Sequence, residues 1–388
     1  MTQLQLTLNL EDLKVDVVNS NLNEVMKASL VLVLNQLMEQ QRDDYIQALP
    51  YERTEGRTGH RNGYYDRSLT VSIGNLELKV PRTRDGQFSP TLFEKWQRKE
   101  QSFVLSMLEM VVNGVSTRKV KKVVKQLCGE EVSKSFISGL TEKLDAEVNK
   151  WAGRPLNVMY YKYIFTDAMY IKVREHNRVV SKAVYIAVGV NKQNKREIIG
   201  LKVSHAESKA GWNEFFAYLK ARGLQSPSLI ISDAHEGQKN AIRESFIGTT
   251  WQRCTFHFKK NLKDAMPKKG SKEVMDLIKD IFDAPGIKEA RKLKEQFMET
   301  YEEDSLFSKA AKLLDEGFED AIQFFNEPKS YRKSLRTTNN LERINQEVRR
   351  RDRVIRIYPN NQSAFRLIGA VLMDIEETLD SGGKKFLN

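Results

Sequence analysis

Hydrophobic residues recur along this chain with two different periods, and the switches between them divide it. Residues 1–50 carry apolar positions at Val25, Leu30, Val33, Leu34 and Leu37, with no Pro or Gly before Pro50, which predicts a helical N-terminal segment. Residues 51–99 alternate instead, through Leu69, Val71 and Ile73 and then Leu76, Leu78 and Val80. That period of two predicts a β-hairpin with Gly74-Asn75 as its turn. Residues 100–151 return to the helical period. Val120, Val123, Val124 and Leu127 fall at i, i+3, i+4 and i+7, and Cys128-Gly129 closes that helix. Ser133 is placed to cap a second helix with Phe136, Ile137, Leu140 and Leu144 inward. Two helices across a short turn form a helix-turn-helix candidate presenting Lys134, Ser135 and Ser138 outward, although helical hairpins that never meet DNA share the pattern.

From residue 160 three strand-like runs follow one another: YKYIFTDAMYIKVRE, RVVSKAVYIAVGVN and KREIIGLKVSH. GWNEFFAYLKARG then reads as a helix, SLIISDAH as a fourth strand, GQKNAIRES as a short helix and TTWQRCTFHF as a fifth strand. The order βββαβαβ predicts an α/β fold with a ribonuclease H-like mixed sheet, its first part spanning 152–258. An all-helical insertion at 259–335 interrupts it. The sheet's last partner lies in 336–388, where TTNNLERINQEVRRRDRVIRIYP predicts one long helix closed by Pro359. The helical and small β segments before residue 152 then stand as separate modules: 1–50 a helical segment able to dimerise, 51–99 the hairpin, and 100–151 the helix-turn-helix.

In that sheet the first and fourth strands are neighbours, so Asp167 in the first run and Asp233 at the end of the fourth come together. Adjacent carboxylates repel unless a cation lies between them, and Mg²⁺, a hard ion that accepts a few carboxylates and keeps several waters, suits them. A third acid is expected from the last long helix. There Leu341, Ile344, Val348 and Ile355 form the inward stripe, while Glu342, Gln346, Arg349 and Arg353 share another face. Arg349, Arg350, Arg351, Arg353 and Arg356 crowd that helix; a solvated surface helix with ordinary Glu–Arg pairs is the alternative.

Charge extends this picture. The chain of 388 residues has a formal net charge of +12, which favours a polyanionic partner such as nucleic acid. Arg53, Arg57, Arg61, Arg67, Arg82, Arg84 and Arg98 crowd the hairpin beside Tyr64, Tyr65 and Phe88, a mixture that fits phosphate contact as well as a charged solvated face. Hydrophobic content of 40% with 29% charged residues describes a soluble globular protein. The start MTQLQLTLNLEDLKVD predicts no signal peptide, and the run Leu30–Leu34 is too short to span a bilayer. Two cysteines, Cys128 and Cys254, exclude a disulfide framework and predict a reducing cytoplasm.

The stretches SDAHEG, WQRC and HF, TDAMYIKVRE and RTTNNLERINQEVRRRDRVIRIYPN closely resemble the Mutator-like bacterial transposases of the insertion-sequence-256 group. RNGYYDRS, LELKVPRTRDG, GVSTRKV and VSKSFIS resemble the same family, so the likeness covers nearly the whole chain. It implies a DDE triad of Asp167, Asp233 and Glu342, Mg²⁺ as cofactor with Mn²⁺ able to substitute, and no organic cofactor. The implied substrates are double-stranded transposon ends and target DNA, held by a homodimer or larger assembly on paired ends. It also implies a copy-out, paste-in route through a circular intermediate, in a bacterial cytoplasm, nucleoid-associated through DNA. Arg57, Arg61, Arg67, Arg82, Arg84, Lys134, Ser135, Ser138, Arg349, Arg350 and Arg353 are the expected DNA contacts.

The family's Cys-x-x-His element corresponds to Cys254 and His257. A structural zinc needs four ligands, and the other histidines, at 60, 176, 205 and 235, are scattered, so no zinc is expected. Cys254 is expected to pack inside the fifth strand and His257 to lie near the active site. His235 and Glu236 are expected to open a helix, and Trp212 and Trp251 to fill the core, with stacking on an extruded base as the alternative for one of them. A ribonuclease H-like nuclease or resolvase would share the carboxylates, and a sequence-specific DNA-binding regulator would share the basic modules.

Overall fold

A computed structural model describes residues 22–52, 54–71, 73–93, 101–128, 132–381 and 386–387. Residues 1–21, Arg53, Arg98 and Gly129, which carry some of the expectations above, lie outside the described residues, as do the side chains of Leu127 and Cys128. Contacts divide the chain into two units, Met1–Leu140 and Thr141–Asn388.

In the first unit, helix α1 (Leu22–Ile46) precedes strands β1 (Arg61–Val71) and β2 (Gly74–Thr83). The hairpin forms as the alternation requires, with Leu69, Val71, Leu76, Leu78 and Val80 buried. Its turn differs from expectation. Val71 pairs with Gly74, so Gly74-Asn75 opens the second strand instead of making the bend. The buried face of α1 is also different: Val31, Leu34 and Met38 pack on the hairpin's apolar side, whereas Leu30 is exposed. Helices α2 (Gln101–Val112), α3 (Thr117–Cys128) and α4 (Lys134–Glu142) share a small core of Phe103, Met107, Val120, Val124, Val132, Ile137 and Leu140. Ser133 Oγ accepts from Phe136 N at 3.0 Å, the expected cap, but the second helix stops at Glu142. Leu144 starts a separate helix, α5 (Leu144–Ala152), which Arg366 claims through a forked pair with Asp145 at 2.6 and 2.8 Å.

The second unit is a mixed α/β assembly around a five-stranded sheet. Strands β3 (Tyr161–Glu175), β4 (Arg178–Asn191) and β5 (Arg196–Ser204) form an antiparallel meander. After α6 (Lys209–Ala221), β6 (Leu229–Ser232) joins parallel to β3. After α7 (Glu236–Ser245), β7 (Thr250–Arg253) joins parallel to β6, giving the order β5-β4-β3-β6-β7. Alternate residues serve two cores, as the pleat demands. Ile164 and Ile230 join Trp212, Phe215, Phe216 and Ile242 on one face. Phe165, Ile171, Val173, Leu229 and Ile231 join the later helices on the other. Trp212 and Trp251 both belong to the first of these cores.

The fifth strand is shorter than predicted. β7 matches the four residues of β6 and ends at Arg253, and Thr255 opens α8 (Thr255–Asp264). Helices α9 (Ser271–Asp283), α10 (Ile287–Tyr301), α11 (Ser308–Ala321) and α12 (Arg332–Leu335) follow, with a 3₁₀ turn at Gln323–Asn326. The long helix α13 (Asn339–Ile355) ends four residues before Pro359, at Arg356 with φ 64°. What ends it is a strand contact: Tyr358 bridges Val173 in parallel, its N–H donating to Lys172 O and its carbonyl accepting from Arg174 N, each at 2.8 Å. Helix α14 (Asn361–Ser381) then packs along β5 and α5.

Leu341, fully buried on α13, is expected to hold this helix to the sheet. Leu341→Ala should lower the stability of the full-length protein by about 2–5 kcal/mol in urea unfolding. Arg343→Ala, on the exposed side of the same helix, should stay within about 0.5 kcal/mol.

Candidate active site

Phe165 of β3 and Ile231 of β6 are register partners. Asp167 lies two residues beyond the first and Asp233 two beyond the second. Equal offsets on parallel neighbours set both carboxylates side by side, on the face of the core that contains Phe165 and Ile231. α13 covers that same face through Leu341, Ile344 and Val348, and Glu342 sits in its first turn.

His257, in the first turn of α8, joins two of the acids. Its Nδ1 touches Asp233 Oδ1 and its Nε2 lies 3.2 Å from Glu342 Oε1. Contact with the Asp233 carboxylate, then with the Cys254 sulfur, pushes the imidazole up to about 10 against the cost of burial. The ring is therefore held protonated between the two carboxyl groups. These are ion contacts rather than in-line hydrogen bonds: Asp233 Oδ1, Glu342 Oε1 and His257 Nδ1 are buried with no hydrogen bond of their own. The third acid is held separately. Asp167 Oδ1 accepts from Ala168 N at 2.8 Å and Oδ2 from Asn345 Nδ2 at 2.7 Å. Burial, followed by the charge of Asp233, pushes Asp167 up to about 7.

Asn345 is the residue that sequence reasoning missed. It stands four residues after Leu341 and one after Ile344, inside the buried stripe of α13, and is itself 5% exposed. A lone amide in an otherwise apolar stripe, three residues after the expected acid, was the available signal.

Cys254 is buried, as expected, but not inside a strand: it is the N-cap residue of α8. Its sulfur accepts from Thr338 N at 3.4 Å and from Thr338 Oγ1 at 3.3 Å, and Thr255 N donates to Arg336 O at 2.9 Å. The start of α8 thus fixes the residues that lead into α13. Asp233, Cys254 and His257 bring ligand-type atoms within 4.8 Å of one another. His235 caps α7, accepting from Gln238 N at 3.3 Å.

The expected DNA contacts divide by what they already hold. Arg61 pairs with Asp43 at 2.5 Å and donates to Ala48 O at 2.7 Å, so it ties the hairpin to the end of α1. Arg57 donates to Gly59 O and Glu52 O. Arg67 stacks on Phe93 and Arg82 on Tyr65, with guanidinium carbons 3.9 and 5.3 Å from the ring centres. Arg84, Lys134, Ser135 and Ser138 are exposed. On α13, Arg349, Arg350 and Arg353 are exposed; Arg350 lies 3.1 Å from Glu347, which also takes the buried Arg351 at 2.5 Å.

The profile described as "Transposase, Mutator family" matches residues 1–382. The chain belongs to the Mutator family of transposases. It is 52% identical over 388 residues to the transposase for insertion sequence element IS256 in transposon Tn4001 from Staphylococcus aureus, covering 100% of this chain and 99% of that one. It is 37% identical to the transposase for insertion sequence element ISRM5 from Rhizobium meliloti, covering 93% and 90%. It is 35% identical to the transposase for insertion sequence element IS1081 from Mycobacterium tuberculosis, covering 90% and 84%. Membership in this transposase family implies DNA cleavage and strand transfer on insertion-sequence ends. Among the described residues no helix is long and apolar enough to cross a membrane.

Transposases generally use divalent metal ions. The donor set suits one: Asp233 Oδ1 and Glu342 Oε1, on either side of His257, are buried acceptors with no hydrogen bond, and Asp167 stands on the strand beside Asp233, but among the described residues the three carboxylates do not bring oxygens within 4.8 Å of one another. Asn345 touches one of these acids and shares a helix with another. Asn345→Ala would leave Asp167 Oδ2 without its donor. DNA-strand cleavage by this transposase should fall by about 10–100-fold while its DNA affinity stays within about twofold, read by gel assays on the same labelled duplex.

Proposed function

We propose that this transposase binds the terminal inverted repeats of its element and cuts and joins DNA strands at Asp167, Asp233 and Glu342, with Mg²⁺ as cofactor. The observation that supports the reading is the equal offset of Asp167 and Asp233 beyond paired strand residues, with Glu342 of α13 reaching the same His257 that touches Asp233. Strand order and crossover pattern further support a ribonuclease H-like sheet, interrupted by the helices between Cys254 and Thr338.

In this reading the three carboxylates hold the ions. Two divalent cations there would divide the work, one activating water or a DNA 3′-hydroxyl and the other stabilising the leaving 3′ oxygen of an in-line displacement. Asn345 keeps Asp167 turned toward the site. His257 balances Asp233 and Glu342 and competes with metal for the same two oxygens. Arg349 and Arg353, two and three turns beyond Glu342, hold the phosphates that flank the scissile one. No Ser or Tyr nucleophile is needed. Hairpin and helix-turn-helix residues, chiefly Arg82, Arg84, Lys134, Ser135 and Ser138, recognise the ends. A dimer or larger assembly pairs two ends, and the joined strand proceeds by copy-out, paste-in through a circle.

The test is a labelled terminal-repeat duplex with purified protein. Asp167→Asn, Asp233→Asn and Glu342→Gln should each lower cleavage by at least about a thousandfold, near 4 kcal/mol of transition-state stabilisation, with end binding retained. EDTA should abolish cleavage, and Mg²⁺ or Mn²⁺ should restore it. Any one variant cutting at near wild-type rate removes that residue from the site.

A further inference from the structure

The ribbon formed by β3 and β4 runs well past the rest of the sheet. β6 pairs with β3 only at residues 163–165, and β5 leaves β4 at Ala183, whereas β3 and β4 stay paired to Glu175 and Arg178. His176 and Asn177, with φ of 47° and 62°, make the tight two-residue turn at the tip. One face of this arm is locked down. Ile171 and Val173 are buried, and Lys182, 1% exposed, spends its charge on Glu175 at 2.8 Å with His205 Nδ1 also at 2.8 Å. The other face is bare. Lys172 and Arg174 on one strand and Val179 and Ser181 on the other are exposed there, as is Tyr170, whose hydroxyl accepts from Glu207 N at 3.1 Å; Arg178, the register partner of Glu175, is exposed at the tip.

Lys172, Arg174 and Arg178 make no ion pair among the described residues. Glu175, the single acid between residues 168 and 182, is already consumed by Lys182. Basic residues on an edge strand commonly serve to block stray pairing. Here Tyr358 already occupies the outer edge of β3, and the charges project from the face instead. The same Tyr358 bridge sits between Lys172 and Arg174 and brings up Arg356 from the end of α13. Lys172 and Arg174 alternate with Ile171 and Val173, so they project from the face of the ribbon opposite the one that α13 covers.

We infer that the β3–β4 arm is a further DNA-backbone contact, made by exposed cations that pair with no acid among the described residues. The partner is the phosphate backbone of double-stranded DNA. The arm contributes affinity and no sequence choice, because its charged side chains meet phosphates rather than base edges. The inference rests on the reading of this transposase as one that grips double-stranded DNA.

The test uses full-length protein carrying Lys172→Thr, Arg174→Thr and Arg178→Thr together, and a 40-base-pair duplex with the element's terminal repeat. The control, of equal charge change, carries Lys268→Thr, Lys269→Thr and Lys272→Thr, also exposed lysines. Each lost phosphate contact makes log affinity less dependent on log salt by about 0.9, so the arm variant should lose about 2.7 units of slope and the control less than about one. Affinity at physiological salt should fall at least about tenfold in the arm variant, equally for repeat and random duplex, with an unchanged thermal midpoint. A slope within about half a unit of wild type, or a loss matched by the control, overturns the inference. Metal-dependent cutting of the same probe by wild type is read in parallel, which separates failure of the carboxylate reading from failure of the arm.

Discussion

Asp167 and Asp233 stand at the same offset beyond a paired Phe165 and Ile231, so one backbone register forces two carboxylates together. Neighbouring strands are about 4.8 Å apart, and two full charges at that separation repel by about 3 kcal/mol at an effective dielectric near 20. The protein meets this cost locally. The His257 cation touches Asp233, while Ala168 N–H and the Asn345 amide hold Asp167. A slip of one residue in β6 would send Asp233 to the opposite face and dissolve the site. The apolar residues Leu229 and Ile231 on one side and Ile230 on the other forbid that slip.

The third acid depends on how α13 is fastened. Its N-terminal approach is tied to α8 by Cys254 to Thr338 and by Thr255 to Arg336. Its far end is tied to β3 itself through Tyr358. Between these ties the buried stripe sets the rotation of the helix, which turns both Glu342 and Asn345 toward the strand pair. Cys254 and His257 thereby divide their labour: the sulfur positions the helix and the imidazole meets the acids.

The alternation and the helical stripes carried much of this in plain view. The three meander runs appear as β3, β4 and β5, and the neighbouring first and fourth strands follow from their order. What was hidden is tertiary. β7 ends where β6 offers no further partner, although its sequence would continue. α13 stops where Tyr358 finds a strand edge, a contact made across nearly two hundred residues of chain. The charge on Arg57 and Arg61 says nothing of the carbonyls and carboxylate waiting inside their own unit. Asn345 was overlooked because a polar residue in an apolar stripe reads as a flaw until its partner is known.

The central claim, that Asp167, Asp233 and Glu342 bind hard divalent cations, is tested most directly by replacing those cations with Fe²⁺ and letting ascorbate and peroxide cut the backbone beside them. Mass mapping of the fragments should give cuts grouped around Asp167, Asp233 and Glu342, suppressed together by excess Mg²⁺ and lost together in Asp233→Asn. Cuts confined to the Cys254–His257 turn and indifferent to Mg²⁺ would instead mean a soft thiol–imidazole site, and the carboxylate account would be wrong.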